Sequence, residues 1–438
     1  MANDFKTSRK TELVALRAAE AAGYLTVGSS KYFKDQLKGK RNGTTFEFVI
    51  PDVGTFARGI DISAGGTPDL KEKKIEKQIL AENVKVATNI LEKVTDVNWD
   101  KEVARPNGKL LINGTVKDAI DGVKGQTIDN VTVTDYDGDW GDTNTAFAGI
   151  GYGPLTAAQN YLASVSDESQ YAFINPLINA KLSETGDSFK PSSADPIFSK
   201  GLLGKLGETE YRSCQFMPLV SVSSALATAM ATVDEITYVD NDNKTATITL
   251  KASNAAIAQK IPKGFVIWIK GLYATDLVGM RTSALKAFVA VEDGANNGEM
   301  IVKALTAEDL IGRGNKLLCK ADGSALGASK SAAETALAGM VTGVGDVQFL
   351  EAGNWFGGQI RIDGAYEFEM LDEIDASNAD TERADNEGII VFQNRAIDVL
   401  KGTNVTRWSS LVMAGIVEPR CVATVLVKDA DTNKVKLV

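Results

Sequence analysis

A chain of 438 residues with 44% hydrophobic and 24% charged side chains carries enough apolar material for a large core, which excludes disorder along its whole length. Its formal net charge of -10 argues against a general nucleic-acid binder, which needs surplus lysine and arginine to replace phosphate counterions. It contains no histidine, so the usual general base, proton shuttle and commonest metal ligand are missing, and most hydrolase and metalloenzyme readings start at a disadvantage.

The length predicts two or three compact units, or one body carrying an insertion. Cys214, Cys319 and Cys421 are odd in number and far apart, which suggests neither a disulfide framework nor a zinc site and fits a reducing compartment. The first residues lack an apolar signal core, and no apolar run approaches the roughly 20 residues needed to span a bilayer. The expectation is a protein made and used in the cytosol or released by lysis.

Up to Arg41 the chain is basic, with nine lysines and arginines against four acids. Thr11 to Ala22 has helical character, with Leu13, Leu16 and Ala19 on one side and Gly23 placed to end it. A docked surface helix and a mobile arm reaching a neighbour both fit. Thr45 to Ile50 alternates as a half-buried strand with Phe46, Phe48 and Ile50 on one face. A glycine-punctuated stretch to Pro68 follows, and then a return strand, Leu70 to Ile79, crowded with Lys71, Glu72, Lys73, Lys74, Glu76 and Lys77. Two strands this polar are marginal alone in water, so the pair reads either as an arm stabilised by another chain or as a solvated edge hairpin whose lysines block aggregation.

Val84 to Val94 is strand-like or mixed, and Lys109 to Val123 fits a helix with Leu110, Leu111, Val116, Ile120 and Val123 inward, although Gly108 and Gly114 weaken it. The acidic run Asp135 to Asp142 invites a calcium loop, but Trp140 or Asp142 stands where the required glycine belongs, so an acidic surface turn is the simpler reading. Gly149-Ile-Gly-Tyr-Gly153 lacks a following GKS or GKT and reads as a link into a helix over Leu155 to Ala163.

A new unit begins near Val233. Glu235 to Asp240 and Thr245 to Lys251 form a hairpin around Asn241-Asp-Asn-Lys244, and strands follow at Gly264 to Lys270, Lys286 to Glu292 and Glu299 to Lys303, which predicts a small barrel or sandwich. After a helix around Ser331 to Met340, strands return at Asp346 to Glu351, Gln359 to Ile362 and Ala365 to Met370. The order is mixed α/β, an all-β insert, and mixed α/β again.

Three stretches carry a family resemblance. Gly207-Glu-Thr-Glu-Tyr-Arg-Ser-Cys-Gln-Phe-Met-Pro-Leu219 resembles the strand leading out of the core before the inserted domain in coat proteins of short-tailed bacteriophages, which have the Hong Kong ninety-seven capsid fold plus an inserted β-barrel. Asp240 to Leu250 with Ile261 to Ile269 resembles the first strands of that insert, and Gln393 to Gly402 with Val412 to Leu426 is similar to the family's last helix-and-strand element. The resemblance implies an α+β fold: an N-terminal arm (1–41), an extended hairpin loop (42–82), a peripheral domain with a spine helix (83–150), the first part of an axial core (151–232), an inserted β-barrel (233–345) and a return to the core (346–438). The spine helix falls over roughly Asn98 to Asp121, where Pro106, Gly108 and Gly114 depart from the family pattern.

The function this resemblance implies is a major capsid protein that self-assembles into an icosahedral shell around double-stranded DNA. It implies no catalytic residue, cofactor or metal, no membrane, double-stranded DNA enclosed without sequence-specific binding, and a scaffolding protein and portal as partners. The chain would be assembled in the host cytoplasm and end in the virion. Contact roles are expected for Arg58, Asp61 and Lys73 in the arm and for Asp240, Asp242 and Lys244 at the insert's hairpin, each of which also fits a simple solvated charge. Trp268 reads as barrel core, and Arg407 and Arg420 as structural ion-pair partners. One competing class is a glycoside hydrolase needing only paired carboxylates, with Glu367, Glu369, Asp372, Glu373 and Asp375 as candidates. Another is a tube or calcium-bound lattice subunit.

Overall fold

The computed structural model describes residues 4–30, 45–51, 72–89, 100–124, 130–133, 152–178, 202–206, 209–217, 219–241, 245–276, 279–303, 318–371, 381–398 and 403–428. In chain order the first elements are helices α1 (Asp4–Ala21) and α2 (Gly23–Thr26), strands β1 (Ser29–Ser30), β2 (Thr45–Pro51) and β3 (Glu72–Asn89), helix α3 (Arg105–Lys124), strand β4 (Asn130–Val133) and helix α4 (Tyr152–Val165). Strands β5 (Gln170–Ile174), β6 (Leu202–Leu206), β7 (Thr209–Ser213) and β8 (Leu219–Val222) and helix α5 (Ser224–Met230) lead into β9 (Val233–Asp240), β10 (Thr245–Ala252), β11 (Val266–Thr275), β12 (Arg281–Val289), β13 (Glu299–Lys303) and β14 (Leu318–Lys320). The chain continues through helix α6 (Lys330–Ala338), β15 (Val347–Phe349), β16 (Gly353–Ile362), β17 (Tyr366–Met370), β18 (Thr381–Asn386), β19 (Ile389–Asp398), β20 (Thr403–Ile416) and β21 (Val422–Lys428). The fold is mixed α+β, and the chain divides into two units.

The first unit draws on three separated stretches, residues 1–48, 74–120 and 366–415. Its sheet runs β1-β17-β20-β19-β18, with β3 joined to β20 and β2 to β3. The long pairing is β3 with β20, in register from Asn89 opposite Thr403 to Ile79 opposite Met413. Between β18 and β19 only Glu387 and Gly388 turn the chain, both at positive φ (52° and 81°), the geometry that matches strand twist in two-residue hairpins. This corrects the helix expected after Gln393: Ile389 to Phe392 are all buried and continue as β19 to Asp398, in register with β20.

Helix α1 lies against β18 and β19. Its buried face is Thr11, Val14, Ala15 and Ala18, with Ala22 buried just beyond its end, so the expected Leu13, Leu16 and Ala19 face is the half-covered neighbouring one. Small side chains allow a close approach: a Cβ on Gly108 would stand 2.6 Å from the Val14 carbonyl oxygen. The glycine that weakens the sequence case for α3 is thus the residue that lets α3 meet α1. A buried stripe of Ala104, Leu111, Ile112, Thr115, Val116, Ala119 and Ile120 runs along α3, while Leu110, expected inside, is 60% exposed. A π-helical turn, Asp100–Ala104, precedes α3 and widens the backbone where the Pro106 ring would clash with the carbonyl of Glu102.

The second unit takes in residues 121–365 and 416–438 and also residues 49–73. Its main sheet is mixed, ordered β4-β21-β16-β5-β7-β6 with β8 on β16; β21 with β4 and β5 with β7 are parallel pairs. Helix α4 packs on β21, β4 and β16, with Pro154 tolerated in its first turn, where the N–H that proline lacks would have no helical partner. In the insert, β10 alternates as expected, with Ala246, Ile248 and Leu250 buried and Thr245, Thr247 and Thr249 half-exposed. The strands there form two open sheets, β13-β10-β9 and a four-stranded one built on β11 with β12, β14 and β15, and among the described residues no sheet closes into a barrel. One apolar cluster spans both, from Ile236 and Ile248 to Ile267, Phe288 and Val302, and continues to Trp355 and Leu426; Trp268 packs half-buried against it.

Candidate functional site

Among the described residues the features that can be followed are strand ribbons and polar fastenings. Strand β3 is 18 residues long, and its register with β20 uses Ile79 to Asn89. The charged half, Glu72 to Gln78, precedes that register, and β3 also pairs with β2. The expected hairpin strands are therefore present, and the return strand is longer than its charge pattern suggests because it takes in Val84 to Asn89. Lys73 lies in β3. Arg58 and Asp61 fall outside the described residues, as do Asp242, Lys244, the Asp135 to Asp142 run, and Asp372, Glu373 and Asp375.

Asp240 ends β9 at the base of its hairpin. Its side chain is fully covered, and Lys330 of α6 reaches Oδ2 at 3.2 Å, an ion pair within the chain. Asn241 donates from Nδ2 to the Thr247 hydroxyl at 2.9 Å and so holds the same end of the hairpin. The carboxylate candidates Glu367 and Glu369 sit two apart on one face of β17, a strand buried along its whole length.

Two polar clusters fix the first unit. The Thr11 hydroxyl donates to Glu382 Oε2 at 2.9 Å and stands 3.0 Å from Gln393 Oε1, which also accepts from Trp408 Nε1 at 3.0 Å. Arg17 holds Asp100 with two teeth, Nε to Oδ1 at 3.0 Å and Nη2 to Oδ2 at 2.7 Å, and its Nη1 pairs with Glu20. Those hydrogen bonds from Arg17 keep the Asp100 carboxyl below its ordinary range. Sequence reading did not find this pair, because 83 residues separate its members.

In the second unit Arg420 is buried. It grips Glu418 through Nε at 2.8 Å and Nη2 at 3.0 Å, and donates from Nη1 to the Asp276 carbonyl at 2.9 Å. Its expected role as a structural ion-pair partner matches this geometry. Arg407 is exposed and donates from Nε to Asn83 Oδ1 at 2.8 Å across the β3–β20 pairing. Beside Arg420, burial pushes the Cys421 thiol up to about 12, and burial likewise pushes Cys214 up to about 11. Among the described residues no group of three or more potential ligands could hold a metal ion, and no helix is long and apolar enough to cross a membrane.

No protein-family model and no curated protein matches this chain. Solved structures do resemble it. One from Mycobacterium phage Che8 is 9% identical, with 92% of this chain and 90% of that one covered, at a TM-score of 0.40. The capsid of Ralstonia phage GP4 is 10% identical over 90% of this chain and 86% of that one, at 0.42. The acidic stable capsid of Helicobacter pylori bacteriophage KHP30 is 9% identical over 88% and 85%, at 0.39.

Proposed function

We propose that this chain is the major coat protein of a tailed bacteriophage, a non-enzymatic subunit that assembles with copies of itself into a closed icosahedral shell around double-stranded DNA. The observation that carries the reading is the β2–β3 ribbon. A pair of strands whose outer half is this charged is marginal by itself, and contact with a neighbouring subunit supplies the missing burial. The three sequence stretches that resemble phage coat proteins point the same way, as do the short strands that follow one another from Val233 to Lys320. In this reading 42–82 is the arm laid over a neighbour, 83–150 holds the spine helix, 151–232 and 346–438 build the core, and 233–345 is the inserted β-domain, its two sheets enclosing one core in the manner of a flattened barrel. Arg58, Asp61, Lys73, Asp242 and Lys244 make contacts between subunits, whereas Asp240 braces the hairpin from within.

A shell closes many copies through repeated heterologous contacts, which needs adjustable arms and no catalytic group. An acidic balance also keeps the packaged genome from sticking to every subunit. A scaffolding protein and a portal complete the assembly in the host cytoplasm before the subunit becomes part of the virion. The test is electron microscopy of the chain expressed alone and with a neighbouring scaffold-like gene product. Closed particles, partial shells or polyheads of constant curvature are the expected result; a monomer or small oligomer under both conditions overturns the proposal.

A further inference from the structure

Helix α1 is fastened in an unusual way. Among its described side chains, the face it buries is made of two alanines, a valine and a threonine, while Leu13 and Leu16 are left half-covered. Burial of small side chains releases little apolar surface from water, so this face supplies shape fit rather than strong attachment. Polar holds on it include Thr11 to Glu382 on β18 and Gln393 on β19, and the two-toothed grip of Arg17 on Asp100 in the π-helical turn before α3. That grip is partly open to water, with the Arg17 side chain 21% and the Asp100 side chain 33% exposed. Elements held by few apolar contacts and by solvent-accessible polar ones open locally, well below the free energy of global unfolding.

We propose that α1 is a detachable strap on the first unit and that Arg17–Asp100 is the ionic clasp that sets how often it opens. When it is open, the chain presents a basic amphipathic helix carrying Lys10 and Arg17; when it is closed, the same helix covers β18 and β19. A docked helix and a mobile arm are then two states of one segment. The clasp belongs to the subunit itself and does not depend on what the subunit assembles into.

The experiment is hydrogen–deuterium exchange on the full chain, following α1 and, as an internal reference, β20. In the unaltered chain, raising salt from 50 mM to 500 mM is expected to speed exchange of residues 11–22 by roughly three- to five-fold and to leave β20 unchanged. Arg17→Met is expected to give a similar rise at low salt and to abolish the salt response, and the exchanged pair Arg17→Asp with Asp100→Arg is expected to restore protection. The proposal is overturned if α1 exchange ignores salt, if Arg17→Met leaves it unchanged, or if α1 and β20 lose protection together.

Discussion

Arg420 spends all three nitrogens of its guanidinium on two partners: Glu418 takes Nε and Nη2, and the Asp276 carbonyl takes Nη1. The residue is 3% exposed, and the contact ties the turn between β20 and β21 to the end of β11. Arg420→Met removes the fork's three hydrogen bonds to a buried carbonyl and a carboxylate, an expected loss of about 2–3 kcal/mol in denaturant unfolding. Arg420→Lys is expected to recover less than half of it, because an ammonium cannot reproduce the planar fork.

Gly108→Ala sets helix propensity against packing. The substitution favours the helix by about 1 kcal/mol, but the new methyl meets the Val14 carbonyl oxygen at 2.6 Å, with the Arg17 Cβ and the Ala18 nitrogen also close. Backbone cannot yield cheaply, so a net loss of about 1–3 kcal/mol is expected, with α1 exchanging faster than the sheet. A stabilised variant would show that α1 and α3 do not meet as described.

Acid should loosen the same contact. The Asp100 carboxyl is lowered from its ordinary 3.8 by the hydrogen bonds from Arg17, with Arg105 and Lys101 adding attraction, while Glu20 competes for Arg17. A depressed native value means that the unfolded chain holds more protons, so the contribution is complete above the unfolded pKa and fades as pH falls through the native one. Methyl resonances of Ala15 and Ala18 are expected to hold from neutral pH down to the ordinary carboxyl range and to shift only below it, and in Asp100→Asn to stay at their low-pH positions throughout.

The thiols should be slow. Burial lifts Cys214 to about 11 and Cys421 to about 12, so at pH 8 little thiolate is present at either, and neither is reachable in the native chain. A colorimetric thiol reagent is expected to react with them only at the rate of unfolding; rapid stoichiometric labelling would contradict their burial.

Glu387 is a side-chain-bearing residue at φ 52°, a conformation that costs most L residues about 1 kcal/mol or more. Glu387→Asn keeps the two-residue turn and suits that backbone, so a gain of about 0.5–1 kcal/mol in thermal or denaturant unfolding is expected. An unchanged or lower stability would show that the glutamate makes a compensating contact.

What was legible in the sequence follows local chemistry. The β9–β10 hairpin, α4 and α6 were readable because alternation, proline placement and alanine content act over a few residues. The face of α1 was not, since Leu13 and Leu16 are the obvious apolar pair and only the nearness of Gly108 explains why alanines face inward instead. Gln393 to Gly402 resembles a helix on family grounds, yet over Gln393 to Asp398 its pairing partner, β20, is what fixes it as a strand. Arg17–Asp100 and Arg420–Asp276 join positions far apart in the chain, and no spacing rule announces such pairs.

The β3–β20 pairing sets a timetable for synthesis. Asn83 and Arg407 meet across 324 residues, so when β3 leaves the ribosome its partner has not yet been made. Most of the second unit is synthesised between them, residues 121–365, while an 18-residue strand waits with one edge open. Pairings this distant close slowly and leave nascent chains able to find one another's edges. The lysines and glutamates packed into the first half of β3 would then serve the unfinished chain as well as the finished one, keeping its open strand from pairing with the wrong copy.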